Sequence, residues 1–180
     1  IYCSSAVVYG DKGNTPYKEE SKVYSYDNYS LMKLNNEQKV IRAGGIVARL
    51  ANVIGPGMAK NNVLSDILSQ LSDSKAICVK NEKPVRDFIW LDDVVSALMK
   101  MITGNGAGIY NIGTGVGVSI KEIAEIALRC TFDNMREVKS LSLSSGHSYN
   151  VIDIDKMRNT YGWMPKLTLK QSIEKLIKNR

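Results

Sequence analysis

The chain has 180 residues, 44% hydrophobic and 23% charged, with a formal net charge of +6. That length suits one domain or a large part of a bigger one, and no apolar run approaches the ~18 residues of a membrane span. Scattered lysines without a basic run or interleaved aromatics exclude a nucleic-acid grip. Cys3, Cys78 and Cys130 are too widely spaced for a disulfide framework or zinc site, the lone His147 rules out a multi-histidine metal site, and a reducing cytoplasm fits best.

The chain opens without an initiator methionine or signal peptide, inside an apolar stretch that reads as a buried strand ending at Ser4 and Ser5. It is therefore expected to be a fragment or trimmed chain. Residues 11–26, with Gly13, Pro16 and several Ser, Asn and Tyr, read as a long loop. Asp27 or Asn28 can cap a helix reaching about Arg42 and ended by Gly44-Gly45. A β-branched run follows in 45-GIVARLANVIGPG-57 and stops at a Gly-Pro-Gly turn. A helix over 62–72 and strands over 76–80 and 86–90 come next. Asp92 and Asp93 open a helix to about 102, their charges suited to its positive end. Then come a strand in 108-GIYNIGTG-115 and a helix over 119–130, with Ser119 and Glu122 in capping-box spacing. A strand over 136–139, a short helix from Asp153 and a last helix from Thr168 complete the pattern.

Alternating strands and helices predict an α/β fold with a largely parallel sheet, in which ligands collect at the carboxyl ends of strands. Ser5, Asn52 and the 55-GPG-57 turn lie at such ends. Tyr29 and Lys33 share one helical face, one turn apart, and are expected to meet Ser5 across a single crevice. A Tyr-x-x-x-Lys pair is expected here by chance alone, and tyrosine packs over a lysine stem on ordinary helices. The pair gains meaning only from its surroundings. A phenol holds its proton at neutral pH, an ammonium beside it favours the phenolate, and a serine hydroxyl can steady charge on the same oxygen. Together these groups suit removal of a hydroxyl proton as hydride leaves carbon.

With these residues placed, the chain resembles the NAD-dependent epimerase/dehydratase family, the extended short-chain dehydrogenases of nucleotide sugars, and among them the UDP-glucose 4-epimerases. The resemblance covers nearly the whole chain. The stretch 3-CSSAVVYG-10 is similar to the family's serine-rich strand end, 29-YSLMK-33 to its Tyr-x-x-x-Lys, and 49-RLANVIGPG-57 to its Arg-x-x-Asn-x-x-Gly-Pro turn. Further on, 86-RDFIWLDDV-94, 110-YNIGTG-115 and 161-YGWMPKLTL-169 are similar to its later segments. The resemblance implies the C-terminal part of a Rossmann-like doubly wound parallel sheet plus a smaller substrate-binding region. Residues 1–57 would end the Rossmann core, and 58–180 would be mostly substrate-binding region with returning sheet segments.

By the same resemblance Ser5, Tyr29 and Lys33 are catalytic. Tyr29, Lys33 and Asn52 would hold NAD (NADP is the less favoured cofactor), with Lys33 on the nicotinamide ribose. Ser5, Asn52, Asn62 and Arg86 would contact a nucleotide sugar. The implied activity is 4-epimerisation through a transient 4-keto sugar, in a cytoplasmic homodimer. The alternatives are a reductase, a decarboxylase, a dehydratase or a non-catalytic nucleotide-sugar-binding protein. Dehydration is disfavoured because Ala6 and Val7 stand where the dehydratases carry Asp-Glu.

Other departures bear on the reading. No G-x-x-G-x-x-G turn precedes the serine strand, so the first third of the family fold is expected to be missing and these residues alone to be inactive. Ser144 and His147 stand where arginine and aspartate of an Arg-x-Gly-Asp segment are usual. Asn52 can cap a loop or contact ligand, Asn62 can cap a helix or contact substrate, and Arg86 can pair with a neighbouring carboxylate such as Asp87 or grip a diphosphate. Asp92 and Asp93 read as helix-start residues, and Trp90 and Trp163 as core.

Overall fold

The computed structural model describes the chain except for residues 74, 132, 134, 143–145 and 179–180. Strand β1 (Tyr2–Ser5) runs into a 3-10 turn at Ala6–Tyr9. Past the long loop, helix α1 (Asn28–Arg42) begins where Asp27 accepts the Ser30 amide at 2.7 Å and its own amide donates back to the Ser30 hydroxyl at 3.1 Å. Gly44, at φ 73°, turns the chain out of the helix into β2 (Ile46–Leu50) and β3 (Asn52–Ile54). Then follow α2 (Val63–Ser69), β4 (Ile77–Val79), β5 (Val85–Arg86), β6 (Phe88–Trp90) and α3 (Leu91–Thr103). The last part holds β7 (Gly108–Ile112), β8 (Val118–Ser119), α4 (Ile120–Cys130), β9 (Val138–Ser140), β10 (Tyr149–Asn150), α5 (Asp155–Tyr161) and α6 (Leu169–Lys178).

Strands β1, β2 and β7 form one parallel sheet in that order, with Ser5 opposite Leu50 and Leu50 opposite Ile112. The chain changes sheets at Ala51: β3 leaves this group and pairs in parallel with β6. Strand β4 pairs in parallel with β9, and β5 lies between β10 (parallel) and β8 (antiparallel). The expected α/β architecture with parallel pairing is therefore present.

Two departures from the expected elements have local causes. The strand expected over 86–90 is split at Asp87, whose backbone leaves β10 and bonds β3: its amide donates to Asn150 O at 3.2 Å and its carbonyl accepts Asn52 N at 3.0 Å. The strand expected over 108–115 ends at Ile112, because the amides of Thr114 and Gly115 turn to the Asp87 carboxylate. The Ser119–Glu122 capping box forms as expected, with Ser119 N donating to Glu122 at 2.7 Å.

One core lies among β4, β6, α2, α4 and α6 and contains Trp90. The other lies between the β1-β2-β7 sheet and helices α3 and α5 and contains Trp163. Both tryptophans are core residues, as expected. Asp93 also has a structural role, accepting the amides of Lys166 and Leu167, each at 3.1 Å, and so fixing the chain that enters α6. Among the described residues no helix is long and apolar enough to cross a membrane.

Candidate active site

Ser5 ends β1 and caps the turn that follows, its hydroxyl accepting the Val7 amide at 3.3 Å. Tyr29 lies in the first turn of α1 and is 49% exposed. Lys33 lies one turn further, its Nζ donating to the Cys3 carbonyl at 2.8 Å and sitting 5.4 Å from the Tyr29 ring centroid. The helical spacing thus brings phenol and ammonium together, and the ammonium is seated on β1 two residues before Ser5. Among the described residues no hydrogen bond joins Ser5 to Tyr29.

Ser5, Asn52 and Arg86 line one cavity of about 470 Å³, with Asp11 and Tyr26 among the other lining residues. Tyr29 and Lys33 are not part of its wall. Asn52, Asn62 and Arg86 line a second cavity of about 760 Å³, together with Lys60 and Lys80. Asn52 and Arg86 thus belong to both cavities, while Ser5 lines only the first and Asn62 only the second.

Asn52 starts β3 and donates from Nδ2 to the Asp87 carbonyl at 2.9 Å. Asn62 caps α2, accepting the Ser65 amide at 2.9 Å and donating to Ser65 Oγ at 3.1 Å. Arg86 does not pair with Asp87, which corrects one of the two expectations for it. Neighbouring side chains on a strand point to opposite faces. On one face Arg86 donates to Val85 O (2.9 Å), Ser148 O (3.2 Å) and Ser148 Oγ (2.7 Å), and Ser148 Oγ donates on to Asp11 at 2.7 Å. Burial lowers the Arg86 guanidinium below its usual range, and Asp11 opposes that shift. On the other face Asp87 accepts the Thr114 hydroxyl at 2.6 Å and the Thr114 and Gly115 amides at 3.0 Å. Burial pushes the Asp87 carboxyl upward, against these donors. His147 touches the Gly13 carbonyl through Nε2 and stacks along Tyr149. Ser144 lies outside the described residues.

The sequence reading passed over a buried polar network beneath the site. Glu37 and Arg49 are each 3% exposed and bonded to one another. Arg49 Nη1 reaches Tyr9 Oη at 2.9 Å, and Tyr9 donates to Asn111 Oδ1 at 2.7 Å. A charge inside the apolar run 46-IVARL-50 was the signal that a buried partner must exist. Burial pushes the Tyr9 hydroxyl up to about 12, with Arg49 opposing. A tyrosine raised above its unfolded value of about 10 stabilises the fold fully below that value and loses the contribution as pH climbs through the folded one. The chain is therefore expected to lose about 1–3 kcal/mol between pH ~10 and ~12, and Tyr9→Phe to flatten that slope in denaturant titrations. An equally steep slope in the variant would move the effect to another group.

The chain is 28% identical to GDP-6-deoxy-D-mannose reductase of Pseudomonas aeruginosa, over 98% of its own length and 64% of that protein's. It is 27% identical to dTDP-4-dehydro-6-deoxyglucose reductase of Escherichia coli, over 99% of its own length and 60% of that protein's. It therefore spans less than two thirds of either relative. Among solved structures, RMD from Pseudomonas aeruginosa complexed with NADPH superposes with a TM-score of 0.91 at 24% identity, covering 99% of this chain and 65% of that one. UDP-glucose 4-epimerase from Thermotoga maritima, solved with UDP-glucose, gives 0.87 at 22% identity, covering 99% and 62%. These two likenesses show the fold. The model of the NAD dependent epimerase/dehydratase family matches residues 1–113, and the chain belongs to that family.

Proposed function

We propose that the full-length protein transfers hydride between a nicotinamide cofactor and C4 of a nucleotide sugar, with reduction of a 4-keto sugar as the net reaction. The observation that carries the reading is the Tyr29–Lys33 pair, seated on β1 through Cys3 and two residues from Ser5. Net reduction is favoured because the two relatives described above, at 28% and 27% identity, are reductases, while the dTDP-D-glucose 4,6-dehydratases that also match 98% of the chain are 25% and 26% identical. Epimerisation, the activity expected from the motifs, is the second reading. Ala6 and Val7 support both over dehydration, since neither side chain can move a proton.

The residues fit a nicotinamide nucleotide at this position. Lys33 has three N–H donors, and Cys3 O takes one, which leaves donors for a ribose diol. Tyr29 and Asn52 would complete the contact. When bound, the cofactor supplies or accepts the hydride. Tyr29 gives its phenolic proton to the carbonyl oxygen as that carbon is reduced. Lys33 stabilises the phenolate left behind, and Ser5 hydrogen-bonds the sugar oxygen during the change. For epimerisation the same groups would first take the C4 hydroxyl proton and then return it.

The test offers the full-length protein a 4-keto-6-deoxy sugar nucleotide with NADH or NADPH and, separately, UDP-glucose with catalytic NAD. Stoichiometric loss of reduced nicotinamide supports the reductase. Interconversion of UDP-glucose and UDP-galactose without net cofactor loss supports the epimerase. Binding without turnover in either arm sinks both and leaves a nucleotide-sugar-binding protein. Arg86 is assigned to the diphosphate. Arg86→Lys is expected to weaken nucleotide-sugar binding about ten- to a hundredfold, because a point charge cannot replace the planar fork. Unchanged affinity by calorimetry would make Arg86 structural.

A further inference from the structure

We propose that Glu37 and Arg49 are positioning residues, whose buried ion pair sets where α1 holds Tyr29 and Lys33 against β1. This rests on the reading of Tyr29 and Lys33 as the catalytic pair. Glu37 lies one turn beyond Lys33 and two turns beyond Tyr29, on the same face of α1. Its carboxylate takes Arg49 Nη2 at 2.6 Å and Nε at 3.1 and 3.2 Å, and it also accepts the Ser4 hydroxyl. Helix α1, strand β1 and strand β2 are thus fastened at one point. The remaining terminal nitrogen of Arg49 reaches Tyr9 Oη at 2.9 Å and Glu19 O at 3.1 Å, which adds the turn capped by Ser5 and the long loop leading into α1. Every segment that delivers a candidate catalytic side chain therefore bonds to this pair or to a residue adjoining it.

The packing of α1 gives the pair its importance. The fully buried residues of this helix are Ser30 and Glu37, both polar. No apolar side chain of α1 is fully buried, and Leu34 packs only partly buried against the core, so apolar contacts leave part of how the helix slides or turns on the sheet unfixed. Directional bonds can supply the rest. A forked guanidinium–carboxylate contact has few good geometries, whereas apolar surfaces tolerate displacement. Stability alone does not explain the pair, because apolar residues of similar volume often replace a buried ion pair without loss.

That last point supplies the test. In the full-length protein, E37L/R49M replaces both charges with apolar side chains of comparable size but leaves the buried Ser4 hydroxyl without its acceptor, so its thermal midpoint is expected to fall by several degrees while the protein stays folded. Its kcat is expected to fall about 10- to 100-fold, the effect of a displacement near 1 Å at the reacting groups, while KM for the nucleotide sugar changes little. A double variant with wild-type kcat would overturn the proposal and leave the pair purely structural. Should that variant fail to fold, Glu37→Asp decides. Shortening the carboxylate by one methylene is expected to lower kcat with a near-normal midpoint, and wild-type kcat there overturns the proposal equally. Tyr29→Phe is run in parallel. If it keeps full activity, the reading of the catalytic pair has failed. If it loses activity while the Glu37 variants do not, only the positioning role has failed.

Discussion

Replacing Tyr29 by phenylalanine in the full-length protein is expected to lower kcat by about 10²–10⁴-fold, the usual contribution of a positioned general acid or base. Nicotinamide binding should survive, because the substitution removes one oxygen and leaves the ring beside the Lys33 ammonium, now 5.4 Å from the Tyr29 centroid. Helix α1 should also be undisturbed. Tyr29 is about half exposed, and the helix start is fixed by Asp27 and Ser30. Loss of turnover with retained cofactor affinity would place the proton step on the phenol. Wild-type turnover would remove Tyr29 from the chemistry, and the proposed function would lose the observation that carries it. Lys33→Ala separates the two roles of its neighbour. It is expected to lower cofactor affinity as well as kcat, because Lys33 is assigned both to the ribose and to the phenolate.

What the sequence made legible was local. Asp27 and Ser30, or Ser119 and Glu122, are three residues apart, and their capping chemistry is complete within one turn. The Tyr29–Lys33 contact follows from helical spacing in the same way. The network beneath the site could not be read so easily. Arg49 meets Glu37 12 residues away, and Tyr9 meets Asn111 102 residues away. Such pairings depend on which strands become neighbours, and composition and periodicity do not specify that. Arg86 shows the opposite error. Its sequence neighbour Asp87 offered a convenient partner, yet the pleat sends the two side chains to different faces. The single crevice expected around Ser5, Tyr29 and Lys33 was also only partly right. Ser5, Asn52 and Arg86 share a cavity, while the Tyr–Lys pair flanks it on α1, bound to β1 through Cys3 rather than through Ser5.

Asn111→Leu is expected to be the most damaging substitution away from the chemistry. Asn111 is fully buried in β7. Its Oδ1 accepts from Tyr9 Oη at 2.7 Å, and its Nδ2 donates to the carbonyls of Tyr17 at 2.9 Å and Asp153 at 3.0 Å. In the β1-β2-β7 sheet, β7 is at one end, and this amide helps tie that end to the long loop and to the segment before α5, beside the Asn111 backbone amide on Glu19 and the bond from Asp153 N to Tyr17 O. Leucine matches the volume but offers no polar atom. It leaves the Tyr9 proton and the Asp153 carbonyl without these partners, at about 1–3 kcal/mol for each group, while Tyr17 O still accepts Asp153 N at 2.8 Å. A loss of roughly 2–6 kcal/mol is a large share of the ~5–15 kcal/mol that holds a typical domain together. Chemical denaturation of the full-length protein should show it as a fall in midpoint, or as failure to fold. Asn111→Asp should not rescue the loss. It keeps the acceptor for Tyr9 but removes both donors, and it places a carboxylate beside the Asp153 carbonyl and Glu19, whose own carboxyl burial already pushes upward. A loss below about 1 kcal/mol in Asn111→Leu would mean that water or backbone movement satisfies these groups and that the loop is held elsewhere. A large loss would instead trace a continuous path from the end of the sheet, through Tyr9 and Arg49, to the helix that carries Tyr29.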